Sequence, residues 1–180
     1  MTLGRSAAST RQTEDRQARV TAVVEATSRD LLGYFLRRVS SAEDAADLLG
    51  ETQLVVWRRV DQLPGEPLEA RLWMFGIARR VLSTYRRAGA RRVALADRLR
   101  QEIEVRGPVA QPVSDGEELR ALLLKLSNLD QEIIRLVHWE GFSLAEVATI
   151  LDKGPGTIRS RYSRARMSLR QAIDDQGDDV

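Results

Sequence analysis

The sequence predicts an all-α protein made of two small helical domains joined by a flexible linker, the second of which contains a helix-turn-helix. Apolar residues recur at helical spacing in two segments, residues 19–93 and residues 117–173. Neither segment shows the alternation of apolar and polar residues, or the Asn-Gly turns, that indicate a sheet. Hydrophobic residues make up 43% of the 180 positions, so each segment can bury a modest core of its own.

The boundaries of the first domain follow from breaks in the apolar period. Residues 1–18 are polar and are expected to form a flexible lead. The domain itself is interrupted at Ser40-Ser41 and at residues 64–67, which predicts three or four helices. Residues 94–116 lose the period and contain Gly and Pro, so we expect a linker there, with a short helix near residues 97–105.

The second domain is divided into four short helical pieces. The breaks fall at Ser127-Asn128, at Gly141 and at residues 152–154. Beyond the last piece, residues 174–180 contain four aspartates and form an acidic tail.

A helix-turn-helix is indicated within the second domain. Ser143 and Glu146 have the spacing of a capping box, which predicts that a helix starts at Ser143. Residues 152–154 supply a tight turn, and Pro155 suits the first position of the next helix, where a missing N–H is no loss.

Composition excludes several classes of function. The chain has no cysteine and a single histidine, His138, so neither a disulfide framework nor a metal site is expected. It has no glycine-rich phosphate loop and no nucleophile beside a plausible base, which argues against an enzyme and against a cofactor. No apolar stretch is long enough to cross a membrane and no signal peptide is evident, so we expect a cytoplasmic protein.

Positive charge is concentrated in two places although the formal net charge is only +2. Residues 71–106 contain ten arginines and three acids, and residues 155–170 contain five arginines and no acid. Two basic surfaces are typical of a protein that touches a polyanion twice. Charge alone favours the alternative, which is two solvated helix faces.

The last helix has the pattern of a DNA-reading helix. Its apolar stripe is formed by Ile158, Tyr162, Ala165, Leu169 and Ile173. At 100° per residue the small residues Gly156, Ser160 and Ser163 lie opposite the stripe, with arginines on both flanks. Such a ridge admits close approach to a major groove, and the guanidinium groups can reach phosphates or guanine edges.

The segment that starts at Trp73 predicts a second basic helix. Its apolar stripe is formed by Met74, Ile77, Ala78, Val81, Tyr85 and Ala88. Arg79, Arg80, Arg86 and Arg87 lie away from that stripe and suit a melting or single-stranded nucleic acid. Trp73 can offer a stacking surface for a base or belong to the core.

Residues 44–60 form an amphipathic helix with an acidic side. Leu48, Leu49, Val55, Val56 and Trp57 give it an apolar side, and Asp44, Asp47 and Glu51 give it the acidic one. An acidic amphipathic face can bind a basic helix of a partner.

Residues 126–170 resemble the fourth conserved region of extracytoplasmic-function (ECF) sigma factors of the bacterial sigma-70 family. The resemblance is carried by Glu140-Gly141-Phe142-Ser143, by Ala145-Glu146-Val147-Ala148 and by Gly156-Thr157-Ile158-Arg159-Ser160-Arg161. It implies that the last helix binds the upstream promoter element. The residues to which it assigns this contact are Thr157, Arg159, Ser160, Arg161 and Arg164.

Residues 29–92 resemble the second sigma region, in which Trp73-Met74-Phe75-Gly76-Ile77-Ala78-Arg79-Arg80 is the most similar run. The resemblance implies that this domain recognises and opens the downstream promoter element and that residues 61–70 hold an extruded base. The DNA contacts it implies are Trp73, Arg79, Arg80, Arg86 and Arg87. The contacts with core RNA polymerase that it implies are Asp44, Asp47, Glu51 and Arg58.

The resemblance predicts an alternative sigma factor, a non-enzymatic subunit without a cofactor that directs transcription initiation. Its expected partners are core RNA polymerase, promoter DNA and an anti-sigma factor, without insertion into a membrane. Two alternatives stay open: a regulator that binds DNA through the helix-turn-helix without polymerase, and a helical interaction module whose basic faces are incidental.

Overall fold

The computed structural model describes residues 3–102 and 121–177, and the side chains of residues 15–91 and 121–174. The chain divides into two compact units, Met1–Ala94 and Leu95–Val180. Every regular element in the described ranges is helical, and no strand occurs in them. The all-α prediction is therefore confirmed.

Three long helices build the first unit. They are α1 (Leu3–Leu36), α2 (Ala42–Arg58) and α3 (Pro67–Glu102), with a 3-10 turn at Val60–Gln62 between the last two. The hydroxyl of Ser41 accepts hydrogen bonds from the backbone N–H groups of Glu43 and Asp44, which fixes the start of α2. The predicted breaks at Ser40-Ser41 and at residues 64–67 are both present, although α3 already begins at Pro67.

The core of the first unit is centred on Tyr34 and Phe35 of α1 and Phe75 of α3, which are fully buried. The Tyr34 ring meets the other two edge to face, with centroids 5.2 Å from Phe35 and 5.6 Å from Phe75. The guanidinium of the buried Arg38 lies 3.7 Å from the centroid of the Tyr34 ring. Helix α2 adds Ala45, Leu48, Thr52 and Val56 to this core.

The second unit consists of a helical turn at residues 121–124 and three helices, α4 (Asn128–His138), α5 (Leu144–Leu151) and α6 (Pro155–Gly177). Ser127 caps α4 by accepting a hydrogen bond from the backbone N–H of Asp130. After α4, Gly141 has a φ of +73°, a conformation that glycine adopts without strain. The chain thereby turns into α5.

Buried side chains from all three helices hold the second unit together. Leu136 of α4, Val147 and Leu151 of α5, and Ile158 of α6 are at most 1% exposed. Leu123, Ile134 and Ala165 form a further cluster, against which Leu126, Tyr162 and Leu169 pack. Full burial of a side chain such as leucine or isoleucine contributes about 1.5–3 kcal/mol.

Four expectations need correction. The predicted flexible lead, residues 1–18, is instead part of α1, which begins at Leu3. The first part of the predicted linker, residues 94–102, continues α3, whereas residues 103–116 lie outside the described part of the chain. Helix α6 runs into the predicted acidic tail as far as Gly177. Ile173, predicted to lie in the buried stripe, is 52% exposed.

Candidate nucleic-acid interface

Helices α5 and α6 form the predicted helix-turn-helix. The capping box is complete, since the Ser143 hydroxyl accepts from the N–H of Glu146 and the Glu146 carboxylate accepts from the N–H of Ser143 at 2.6 Å. Helix α5 ends at Leu151 and is followed by the capping residue Asp152, whose φ of 54° lies in the left-handed region. Pro155 is the first residue of α6. The local bonds of the capped turn thus help to set the direction of α6.

One side of α6 is exposed and basic, as predicted. Ile158 and Ala165, seven residues apart, are buried and define the inner side of the helix. The residues of the opposite side, which we call the α6 face, are exposed and are Gly156, Thr157, Arg159, Ser160, Ser163 and Arg164. A methyl group added at Gly156 would meet nothing within 4 Å, so the space in front of the helix start is open.

Arg161 differs from the arginines of the α6 face. Its guanidinium forms an ion pair with Asp130 of α4, and the two side chains are only 34% and 20% exposed. At 100° per residue, Arg161 lies about 60° from the buried Ile158, so its side chain leaves the helix beside the core. This angle was available from the sequence, but the position of Asp130 was not.

On α3 the predicted contacts divide between two sides of the helix. Trp73, Arg80 and Arg87 are spaced by seven residues and therefore share one side, which we call the α3 face. Arg80 and Arg87 are exposed there, and Trp73 is half-buried. Arg79 and Arg86 lie on the flank, where Nη2 of Arg86 is 3.5 Å from the carbonyl oxygen of Arg38.

Helix α2 exposes a mixed acidic and apolar side, which we call the α2 face. Asp47, Glu51 and Arg58 are exposed and follow one another at helical spacing, whereas Asp44 is half-buried at the start of the helix. Leu54 lies between them and is 55% exposed. Sequence reasoning missed Leu54, although its spacing of three from Glu51 places it on this side.

A groove of about 650 Å³ lies in the second unit between the helical turn at residues 121–124, α4 and the second half of α6. Trp139, Met167 and Ile173 line it and are each more than 40% exposed. His138 stacks on Tyr162 at its edge, and the Tyr162 hydroxyl is 3.1 Å from Nε2 of His138. The lone histidine therefore has a structural contact.

The described residues hold no group of three or more acidic or histidine side chains that could bind a metal ion. Among the helices described, none is both long enough and apolar enough to cross a membrane.

Comparisons with known proteins place both units in one family. The family model Sigma-70 region 2 matches residues 23–92, and the model Sigma-70, region 4 matches residues 116–169. The ECF RNA polymerase sigma factor EcfG of Rhodopseudomonas palustris (strain TIE-1) is 35% identical over 140 residues, which cover 77% of this chain and 76% of that protein. The ECF RNA polymerase sigma factor SigL of Mycobacterium tuberculosis is 27% identical over 146 residues, covering 80% and 82%.

A solved structure is similar over most of the chain. It is the sigma factor RpoE in complex with the anti-sigma factor NepR from Bartonella quintana, which is 26% identical with a TM-score of 0.62. The similarity covers 89% of this chain and 98% of the other. The two matched regions and the similarity to known ECF sigma factors together show that this chain is an alternative sigma factor of RNA polymerase and belongs to the ECF group of the sigma-70 family.

Proposed function

We propose that the α6 face binds the upstream promoter element in the major groove. The observation that carries this proposal is the exposure of Arg159, Ser160 and Arg164 on a helix whose direction is fixed by a capped turn. Ser160 and Gly156 let the helix approach the bases, and the two arginines can read guanine or hold phosphate. Thr157 lies at the N-terminal end of the helix, where a DNA-reading helix enters the groove.

Arg161 takes a different part in this proposal. In the free chain its guanidinium is paired with Asp130, so a contact between Arg161 and phosphate must compete with that carboxylate. The pair links α4 to α6 and helps to fix the orientation of the α6 face.

We propose that the α3 face binds the downstream promoter element as the duplex opens. Arg80 and Arg87 can follow the phosphates of one strand, and the half-buried Trp73 can offer a stacking surface to a base at the same side of the helix. Arg79 and Arg86 on the flank extend the positive surface toward the second strand. Residues 61–70 precede this face, and a base extruded from the duplex is proposed to be held there.

We propose that the α2 face binds core RNA polymerase. Asp47, Glu51 and Arg58 offer charges of both signs, with Asp44 at the start of the helix, and Leu54 gives the face an apolar centre. Charged residues around an exposed apolar side chain are the usual anatomy of a protein interface. The charges would set the orientation and the association rate, and Leu54 would supply buried area.

The chain is proposed to perform no reaction of its own and to act in the cytoplasm, where RNA polymerase works. The similar RpoE of Bartonella quintana was solved with an anti-sigma factor. An anti-sigma factor is accordingly proposed as a partner of this chain. A protein recovered with the tagged chain, but absent from its polymerase complex, should inhibit transcription when it is added back.

Reconstituted transcription tests the proposed assignments. Core polymerase supplied with this chain should produce run-off transcripts with defined start sites from a subset of genomic fragments. A stand-alone regulator would instead shift the same fragments without polymerase and would add no start sites. Failure of the chain to bind core polymerase would contradict the assignment of the α2 face.

A further inference from the structure

The loop between α2 and α3 has few backbone bonds of its own. Its 3-10 turn is closed by hydrogen bonds from Gln62 to Arg59 and from Leu63 to Val60. The next backbone bond along the chain runs from Ala70 to Glu66 and already belongs to the start of α3. The carbonyl groups of Leu63 and Pro64 lie between these two sets of bonds, and Pro64 has no N–H to donate.

Two arginines of α1 bind this loop from 44 and 45 residues away in the sequence. Nη2 of Arg19 donates to the carbonyl oxygen of Leu63 at 3.1 Å and to that of Pro64 at 2.7 Å. Arg16, one turn earlier on α1, forms an ion pair with the carboxylate of Asp61. The loop therefore gains three contacts from α1, two from Arg19 and one from Arg16, and Arg16 lies in the segment that the sequence predicts as a flexible lead.

These contacts act on a local conformation and contribute little to global stability. The Arg16 and Asp61 side chains are 51% and 73% exposed, and exposed ion pairs are weak. Holding a backbone segment in one conformation nevertheless removes an entropic cost that the segment would otherwise incur when it binds a ligand. The effect of the contacts should therefore be seen in binding by the loop rather than in unfolding.

We propose that Arg19 and Arg16 are positioning residues that hold residues 61–64 in the conformation that receives the extruded promoter base. The inference rests on the proposed function of residues 61–70. In this role the two arginines act through Asp61 and through the two carbonyl groups, and they do not touch DNA. Their loss should slow promoter opening and leave polymerase binding unchanged.

The test measures opening on a promoter that the run-off assay has identified. A fluorescent base analogue in the segment that becomes unpaired reports the opening rate with the polymerase complex of each variant. Arg19→Ala should open the duplex about five-fold more slowly, the factor that corresponds to about 1 kcal/mol. On a template with a pre-opened mismatch segment, where no opening step remains, its rate of run-off initiation should be within two-fold of the parent's, since the unstacking cost is already met. The matched control is Arg29→Ala, which removes an exposed arginine from the same helix.

A double-mutant cycle separates positioning from direct DNA contact. If Arg16 acts through Asp61, then Arg16→Ala and Asp61→Ala slow opening alike, and the double variant is no slower than either. If Arg16 binds phosphate instead, Asp61→Ala speeds opening because it removes a negative charge, and this result overturns the proposal. Opening rates for Arg19→Ala and Arg16→Ala equal to the parent's also overturn it. Absence of opening by the parent complex contradicts the proposed function itself, so the two failures are distinguishable.

Discussion

The guanidinium of Arg161 lies 3.0 Å from the carboxylate of Asp130, measured from Nη1 to Oδ1, and this pair joins α6 to α4. Asp130 also accepts a hydrogen bond from the Ser127 hydroxyl at 2.6 Å, which orients its carboxylate. An arginine of the proposed DNA-reading helix is thus held by an acid of its own domain. The consequence is a competition between Asp130 and DNA phosphate for one cation.

Asp130→Asn should therefore strengthen binding of the polymerase complex to promoter DNA by about three-fold at low salt, since the released guanidinium can join the phosphate contacts. The plot of log affinity against log salt should become steeper by up to about one unit. Fluorescence anisotropy with labelled promoter DNA over a salt series measures both quantities.

Asp152→Asn is the matched control for this prediction. It removes the same charge from the same unit, and asparagine tolerates the left-handed conformation of that position. An equal gain in the two variants would assign the effect to net charge rather than to Arg161. Weaker binding by Asp130→Asn would show that the pair serves the orientation of α6 above all.

Arg159→Ala should weaken binding to the promoter by about 1–3 kcal/mol, because Arg159 lies on the α6 face. Promoter-specific initiation should fall accordingly, and core binding should stay unchanged. Arg170→Ala is its control, since Arg170 is exposed on the same helix three turns further along. Run-off transcription across a range of salt concentrations measures the effect. Equal transcription by the Arg159 variant and the parent would remove Arg159 from the interface.

Glu51→Arg should reduce the affinity for core polymerase about ten-fold or more, since it reverses a charge beside Leu54 on the α2 face. Glu25→Arg, on the exposed side of α1, should leave the affinity within two-fold of the parent. Competition against a labelled parent chain for limiting core enzyme measures both variants. A loss of the same size in Glu25→Arg would indicate general repulsion instead of a specific face.

Gly50→Ala should stabilise the first unit by about 0.5–1 kcal/mol, because alanine favours the helix more than glycine does. A methyl group at Gly50 of α2 or at Gly89 of α3 would meet nothing within 4 Å, so Gly89→Ala should give a similar gain. Hydrogen exchange at the core amides of α1 measures the stability of each variant.

The same two variants test how closely polymerase approaches α2. Gly50 lies beside Leu54 on the helix surface, whereas Gly89 lies on a different helix. Weaker core binding by Gly50→Ala alone would place the partner against the backbone of α2. Unchanged binding by both variants would place the contact on the long side chains of the α2 face.

The sequence was most informative where structure depends on local bonds. The start of α5 at Ser143, the turn after it and the start of α6 at Pro155 are all confirmed, because each depends on residues within four positions of one another. The buried positions Ile158 and Ala165 followed from helical spacing in the same way. Because the arginines of α6 do not belong to this buried stripe, the sequence predicted that they are exposed.

Features that depend on distant residues were not predictable. Residues 3–18 lack an apolar period, so nothing in their pattern indicated that α1 begins at Leu3. The contacts of Arg19 join it to backbone carbonyl groups, which leave no signature in side-chain pattern. Ile173 continues the apolar spacing of α6 but is largely exposed on the rim of the groove.

The order of the two cores along the chain has a consequence for biosynthesis. Among the side chains that the structure describes, the buried aromatic and aliphatic ones of the first unit come from α1, α2 and the part of α3 up to Leu82. Small helical domains fold in microseconds to milliseconds, whereas a ribosome adds about 5–20 residues per second. The first unit can therefore complete its core while the second is still being translated. If the α2 face binds polymerase as proposed, a nascent sigma factor would present that face seconds before its helix-turn-helix has been synthesised.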